Sequence, residues 1–319
     1  MAHRLSSDAK GVYVIAATPF KDDGAIDHGS IDSLVDFYLA AGVHGMTILG
    51  VMGEFQKLSE VETLDVARRF LKRAARIPVI VGVSNPGTSQ LVKIANAAME
   101  GGAAGVMVMP QSGLKTDEAV LGYMRGVLKA LGPDIAVCVQ DYPQLSVVWF
   151  SAGCFVTMVD EFPQIQMFKH EEAPGLRKLS AIRQACDGKA HRYISILCGN
   201  GGMHLPQEYR RGADGAMTGF AYPEILVRVH ALAIAGKLDE AEDLYDLYLP
   251  ILRHEFQPGI GLALRKEILR RRGAIASSAV RAPGPKLDAG DVAELDSMMA
   301  RLDRKIGASR STGDRYAAG

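Results

Sequence analysis

The 319-residue chain has no excess of charge of either sign: 36 lysines and arginines stand against 36 aspartates and glutamates. Surfaces that bind nucleic acid or anionic membranes usually carry a basic surplus, so neither partner is expected and a small-molecule role is favoured. A net charge of zero also suits a chain that associates with copies of itself. Cysteine is sparse. Cys138, Cys154, Cys186 and Cys198 lie far apart, without CxxC or Cys/His ligand spacing, which argues against structural zinc. They imply no disulfide framework, in keeping with a reducing compartment, and Cys138 and Cys198 read as small core residues. No apolar run approaches the roughly 20 residues of a membrane span. GVYVIAATPF (11–20) could pass for a signal-peptide core, but Asp8 precedes it and no sharp cleavage site follows, so a cytoplasmic protein is expected. Low-complexity tracts are absent as well.

What the chain does have is a strand-then-helix rhythm. Short apolar runs bounded by Gly or Pro recur at 12–17, 46–50, 78–83, 104–110, 135–140, 165–169, 193–199 and 213–219, the pattern of strands buried on both faces. Amphipathic stretches separate most of them. Residues 30–42 place Ile31, Leu34, Val35 and Tyr38 on one face, and 59–75 opens with Ser59 and Glu62, a capping box. Stretches 87–101, 116–131 and 174–185 read the same way. Eight such units in about 220 residues fit an α/β fold of the (β/α)8 TIM-barrel type. A doubly wound sheet would place a Gly-rich dinucleotide loop after the first strand, where TPFKDDGAID stands instead. Beyond the eighth strand, helices are expected at 224–236, 238–254, 260–272 and 290–305. The expected division is a barrel over 1–223, a C-terminal helical region over 224–305 packed on it, and a frayed tail over 306–319.

In a barrel, chemistry sits at the C-terminal ends of the strands. The sixth run, IQMFK, ends in Lys169. Either its ammonium snorkels to water, or burial favours the neutral amine, which attacks a ketone to form a Schiff base. The other strand ends supply Thr18-Pro19-Phe20, Gly50-Val51-Met52-Gly53-Glu54, Ser84-Asn85, Pro110-Gln111, Gln140-Asp141-Tyr142-Pro143, Gly199-Asn200 and Thr218-Gly219. His170 should point away from Lys169 by strand alternation. Arg177 and Lys178 read as surface charges, and the run Arg270-Arg271-Arg272 before Gly273 as a helix end with its cap. The Met-rich stretch 106–110 reads as core or pocket lining rather than a metal site.

From about residue 11 to about 305 the chain resembles the dihydrodipicolinate synthase/N-acetylneuraminate lyase family. Thr18-Pro19-Phe20 after the first strand, Gly50-Val51-Met52-Gly53-Glu54 in place of a GTTGE or GSTGE loop, Lys169 after strand six, Gly199-Asn200, and GADGAMTG (212–219) with Met217 carry the likeness. The resemblance implies a (β/α)8 barrel with a C-terminal helical region, commonly a homotetramer of two dimers, with a homodimer as the alternative. It implies Lys169 as the Schiff-base lysine. Thr18, Gly50, Val51, Met52, Gly53, Glu54, Gly199 and Met217 then surround a 2-oxo acid, with no metal or organic cofactor.

The departures from the family pattern are specific. Val51 and Met52 stand where the family has hydroxyls, leaving backbone N–H groups to hold a carboxylate. Glu54 is retained, and its simplest role is to tie down the loop. In the family's Y-N-x-P motif, alignment on Pro143 puts Gln140 at the tyrosine and Asp141 at the asparagine. Glutamine is no acid or base. Tyr142 shares Gln140's face and either enters the cavity or packs in the loop. Leu145 stands at the position of an arginine that grips a second substrate, and Gln111 and Ser112 stand where a further tyrosine is usual. Lysine-biosynthetic synthase activity is therefore not expected. The expected activity is that of a lyase, aldolase or dehydratase, on a 2-oxo acid of sugar-acid type; Asp141, His170 and Glu171 are the polar groups expected near the imine, and proton transfer is expected from Tyr142, Asp141, His170, water or the substrate's own hydroxyl. Two alternatives stand beside it: a catalytically impaired barrel that binds a keto acid as sensor or assembly partner, and a phosphate-directed barrel using the Gly-rich CGNGG (198–202).

Overall fold

The structure, a computed structural model, describes residues 3–311, with side chains through residue 307. Eight parallel strands close in sequence order into a barrel: β1 Gly11–Ile15, β2 Gly45–Ile48, β3 Val79–Gly82, β4 Gly105–Val108, β5 Val137–Asp141, β6 Ile165–His170, β7 Ser195–Cys198 and β8 Gly215–Ala216. β8 pairs with β1 through Gly11↔Gly215 and Val12↔Ala216. The expected TIM barrel is present, followed by four helices, Pro223–Ile234, Leu238–Glu255, Gly261–Arg271 and Ala289–Ser311. The last of these runs through Ser311, into the stretch expected to fray; residues 312–319 lie outside the described residues.

Local chemistry accounts for the helices around the barrel. Ser59 accepts from the Glu62 N–H while the Glu62 side chain accepts from the Ser59 N–H, so the capping box forms and starts helix Glu60–Arg73. Asp27 caps His28–Ala40, whose buried face holds Ile31, Leu34, Val35 and Tyr38. Helix Ala152–Glu161, capped by Ser151 and burying Phe155 and Met158, fills the gap between β5 and β6 that the apolar periodicity left unassigned.

Two cores result. The larger packs helices against the outer faces of the strands and contains Phe155, Phe168 and Ile196. The smaller fills the barrel interior with Tyr13, Ile15, Met107, Cys138, Met167, Leu197 and Met217. Alternation along β6 should place Ile165, Met167 and Lys169 on one face. Instead Ile165 belongs to the outer core and Met167 to the inner one. The β5–β6 register shifts between Val137/Cys138, so that Ile165 and Met167 oppose consecutive residues and Gln166 is skipped. A one-residue slip flips every later side chain to the other face. This slip turns Lys169 and Glu171 inward and Phe168 and His170 outward.

The four described non-glycine residues with left-handed backbone, Leu49 (φ 55), Glu54 (φ 53), Val147 (φ 57) and Asn200 (φ 51), all follow strands at the same end of the barrel. Such conformations cost energy and persist where the surroundings enforce them. They mark the C-terminal end as the one whose loops are held in shape.

Candidate active site

That end opens into a cavity of about 610 Å³. Its floor is the inner core layer, and its walls come from the ends of β1, β2 and β5 to β8 together with the C-terminal helices. Lys169 reaches it from β6, 3% exposed. Its Nζ lies 2.9 Å from Glu171 Oε2. The same carboxylate oxygen accepts from Gln140 Nε2 at 2.7 Å, and Asn200 Nδ2 donates to the Glu171 backbone carbonyl at 2.7 Å. The lysine is therefore neither out in solvent nor alone in an apolar pocket. Its partner is a carboxylate two residues on, and open volume lies beside the pair.

Gly199 makes room for this carboxylate: a Cβ there would sit 2.3 Å from Glu171 Cγ. Tyr142 also lines the cavity. Burial, reinforced by the Glu171 charge and opposed by Arg265, pushes its phenol up to about 12, so near neutral pH it keeps its proton and can donate but not abstract. Cys138, in the layer below, is likewise pushed up to about 12 by burial, which leaves an unreactive thiol.

Several expected site residues lie elsewhere. The Asp141 carboxylate points outward, 2.7 Å from Lys178 Nζ and 3.6 Å from His170 Nδ1, because neighbours on a strand face opposite sides. Lys178, expected at the surface, is buried between Asp141 and Glu172 and lies over the Phe150 ring. His170 packs behind the barrel as expected, stacked on Phe168 with its Nε2 donating to Gly175 O at 2.9 Å. Glu54 turns away from the cavity to Lys266 Nζ (2.5 Å), Lys57 Nζ (2.8 Å) and the Arg281 N–H (3.0 Å). Lys266 also donates to Thr18 O at 2.9 Å, and Thr18 Oγ1 to Gly53 O at 2.6 Å. Thr18 and Glu54 thus pin the 50–54 loop to the C-terminal helices instead of lining the cavity. Met217 lies in the interior layer beneath it. Gly50, Gly53 and Gly199 shape the backbone, while Val51 and Met52 form the loop's share of the wall. The 3-10 turn Val51–Gly53 closes with Gly53 N to Gly50 O (2.9 Å) and Glu54 N to Val51 O (3.0 Å). Its leading amides, those of Val51 and Met52, have no acceptor within such a turn.

Two cavity residues matter more than the sequence indicated: Glu171, expected only as a polar group near the imine, and Arg265, which was not singled out. Glu171 was legible, since residue i+2 of a strand shares the face of residue i. Arg265 was not. It projects from helix Gly261–Arg271, is 5% exposed, and donates through Nε to the buried Glu255 at 2.5 Å. The neighbouring arginine run forms ion pairs along the chain's surface: Arg270 and Arg271 pair with Glu267, and Arg272 with Glu224.

Behind β7, Glu208 is buried near the Cys198 thiol and His170, and desolvation pushes its carboxyl up from 4.5 to about 7. Between those values the unfolded chain has released this proton while the folded chain still holds it. Stability therefore falls as pH rises through that window and stays lowered above it. Glu208→Gln is expected to exceed the parent in stability at about pH 8 by on the order of 3 kcal/mol, with most of the gain gone by about pH 5. Denaturant unfolding at the two pH values checks this; an equal gain at both would contradict it.

Residues 8–301 match the dihydrodipicolinate synthetase family. L-2-keto-3-deoxyarabonate dehydratase of Azospirillum brasilense is 31% identical over 307 residues, covering 92% of this chain and 94% of that protein. The 4-hydroxy-tetrahydrodipicolinate synthase of Sorangium cellulosum is 30% identical over 211 residues, covering 65% of this chain and 67% of that protein. Among solved structures, the crystal structure of dihydrodipicolinate synthase from Rhodopseudomonas palustris superposes with a TM-score of 0.92 at 44% identity, covering 94% of this chain and 99% of that one. No helix among the described residues is long and apolar enough to cross a membrane. With a closed eight-stranded barrel, C-terminal helices and a family match over nearly its whole length, the chain belongs to the dihydrodipicolinate synthetase family of lyases.

Proposed function

We propose that the protein is a dehydratase of 2-oxo-3-deoxy sugar acids that works through a Schiff base on Lys169. The observation that carries this reading is the buried Lys169–Glu171 pair, 2.9 Å apart, facing a cavity large enough for a small sugar acid. The ammonium passes a proton to Glu171, and the free amine attacks carbon 2 of the substrate. The carbinolamine oxygen takes one proton from the attacking nitrogen and one from protonated Glu171, and leaves as water to give an iminium. Glu171, again a carboxylate, removes a proton from carbon 3, and the electron pair forms an enamine. The enamine then expels the carbon 4 hydroxyl, which takes its proton from Glu171 and departs as a second water. Hydrolysis of the unsaturated iminium consumes one water and frees Lys169, so the net change is loss of one water. The leading amides at Val51 and Met52 hold the carboxylate, and the Tyr142 phenol, which keeps its proton, donates to a substrate oxygen.

Dehydration is preferred to aldol cleavage because a single acid–base residue beside the imine serves both proton transfers of an elimination. The 31% identical dehydratase supports the same choice. The 44% identical synthase structure supports the fold, but the Leu145 position offers no cation for a second substrate. The test is incubation with five- and six-carbon 2-oxo-3-deoxy acids followed by mass spectrometry. The expected product is lighter by one water. Release of pyruvate instead would make the protein an aldolase, and no consumption of any such acid would favour a barrel that binds keto acids without turning them over.

A further inference from the structure

We infer that Arg265, supplied by the C-terminal helical region, is the cationic anchor for the substrate's carboxylate. The inference rests on the keto-acid reading above and adds a residue to it. Of the described residues lining the cavity, only Lys169 and Arg265 are lysine or arginine. Lys169 is consumed as the reactant. The loop that offers amides to an anion presents only apolar side chains, Val51 and Met52. A carboxylate partly withdrawn from water in this cavity gains from a charged partner, and Arg265 is the one the cavity retains.

The guanidinium is held for that purpose. Its Nε edge is fixed by Glu255 Oε1 at 2.5 Å, and Glu255 is itself fixed by the Ala221 N–H at 3.2 Å. Its Nη1 rests against the Met52 thioether, a weak acceptor. Nη2 has no hydrogen-bond partner among the described residues. A guanidinium carries five N–H donors, so most of those on this side chain remain available to a ligand in the cavity it lines. A Cβ at residue 219 would lie 2.9 Å from Arg265 Nη1, and glycine there keeps the space open. The Nη edge thus lies against the side chain of Met52, the second residue of the 51–53 turn. A carboxylate at that point meets amides and a planar fork together, the geometry arginine satisfies and lysine does not.

The test compares two ketones, pyruvate and uncharged hydroxyacetone, as titrants for borohydride trapping. The variants are Arg265→Lys, which keeps a cation for Glu255, and the charge-neutral double variant Arg265→Met/Glu255→Gln. In both, the pyruvate concentration for half-trapping is expected to rise roughly 10- to 100-fold, the worth of charge-assisted hydrogen bonds. For hydroxyacetone it should move by less than about 2-fold, within the scatter expected of a substitution that touches no shared contact. Equal shifts for both ketones, or none for pyruvate, would overturn the assignment. Non-covalent pyruvate binding by calorimetry in a Lys169→Met background gives a second reading that needs no imine. Loss of binding when Arg265→Lys is added supports the anchor, and unchanged binding refutes it. If the unmodified protein traps neither ketone, the Lys169 reading fails while the calorimetric result still decides the role of Arg265.

Discussion

Replacing Lys169 with methionine is expected to lower kcat by at least about 10⁴-fold, the scale seen when a covalent nucleophile is removed. The physical reason is that the electron sink disappears. Without the iminium, a carbanion at carbon 3 has only a neutral ketone to stabilise it, and the carbon 4 hydroxyl has no enamine to push it out. Methionine matches the length and apolar stem of lysine, so barrel packing changes little. The exposed cost falls on Glu171, which loses its partner at 2.9 Å but keeps Gln140 at 2.7 Å and faces a cavity open to water. Steady-state rates with a 2-oxo-3-deoxy acid, together with a melting curve, separate lost chemistry from lost fold. A Lys169→Met protein that folds and retains more than a few per cent of its rate would remove the imine from the account.

Glu171→Gln carries the second large effect, a fall in kcat of about 10²- to 10⁴-fold, the range for loss of a general acid–base group. KM should change little, since the carboxylate is assigned to proton transfer and not to holding the substrate. The variant retains Lys169 and nearly the same shape, and a glutamine amide can still bond to Gln140. Imine formation with pyruvate should therefore slow without being abolished. Catalytic loss confined to KM, or a loss under about 10-fold, would transfer the acid–base role to Tyr142 or to water.

The sequence yielded the barrel because its strands are continuous apolar runs between capped amphipathic helices, and that signal is local. Ser59 with Glu62 defined a helix start to the residue. Strand ends pointed to Lys169, Gln140 and Tyr142 for the same reason: the two-residue period of a strand is written in the chain. The period also misleads where it is interrupted. The register slip at Gln166 depends on how β6 pairs with β5, which no single segment encodes. Glu54 and Thr18 sat in a motif that suggested substrate contact, yet their partners, Lys266 and Arg281, lie more than 200 residues away. Arg265 lies inside an expected helix with no local feature to single it out; only the docking of helix Gly261–Arg271 over the barrel brings it to the cavity. What was illegible is what depends on long-range packing, and in this protein that includes the proposed carboxylate anchor.

The same packing explains why the C-terminal helices matter to chemistry as well as to stability. Lys266, fully buried, binds the 50–54 loop through Glu54 and Thr18, while its neighbour Arg265 faces the cavity. One turn of helix thus fixes the loop's backbone and contributes to the wall of the cavity that Lys169 enters.

The most direct measurement is borohydride reduction in the presence of pyruvate, followed by peptide mass mapping. The account predicts a single reduced pyruvate adduct on the peptide containing Lys169, absent from Lys169→Met. No adduct at saturating pyruvate, or an adduct on another lysine that persists in that variant, would contradict the central claim.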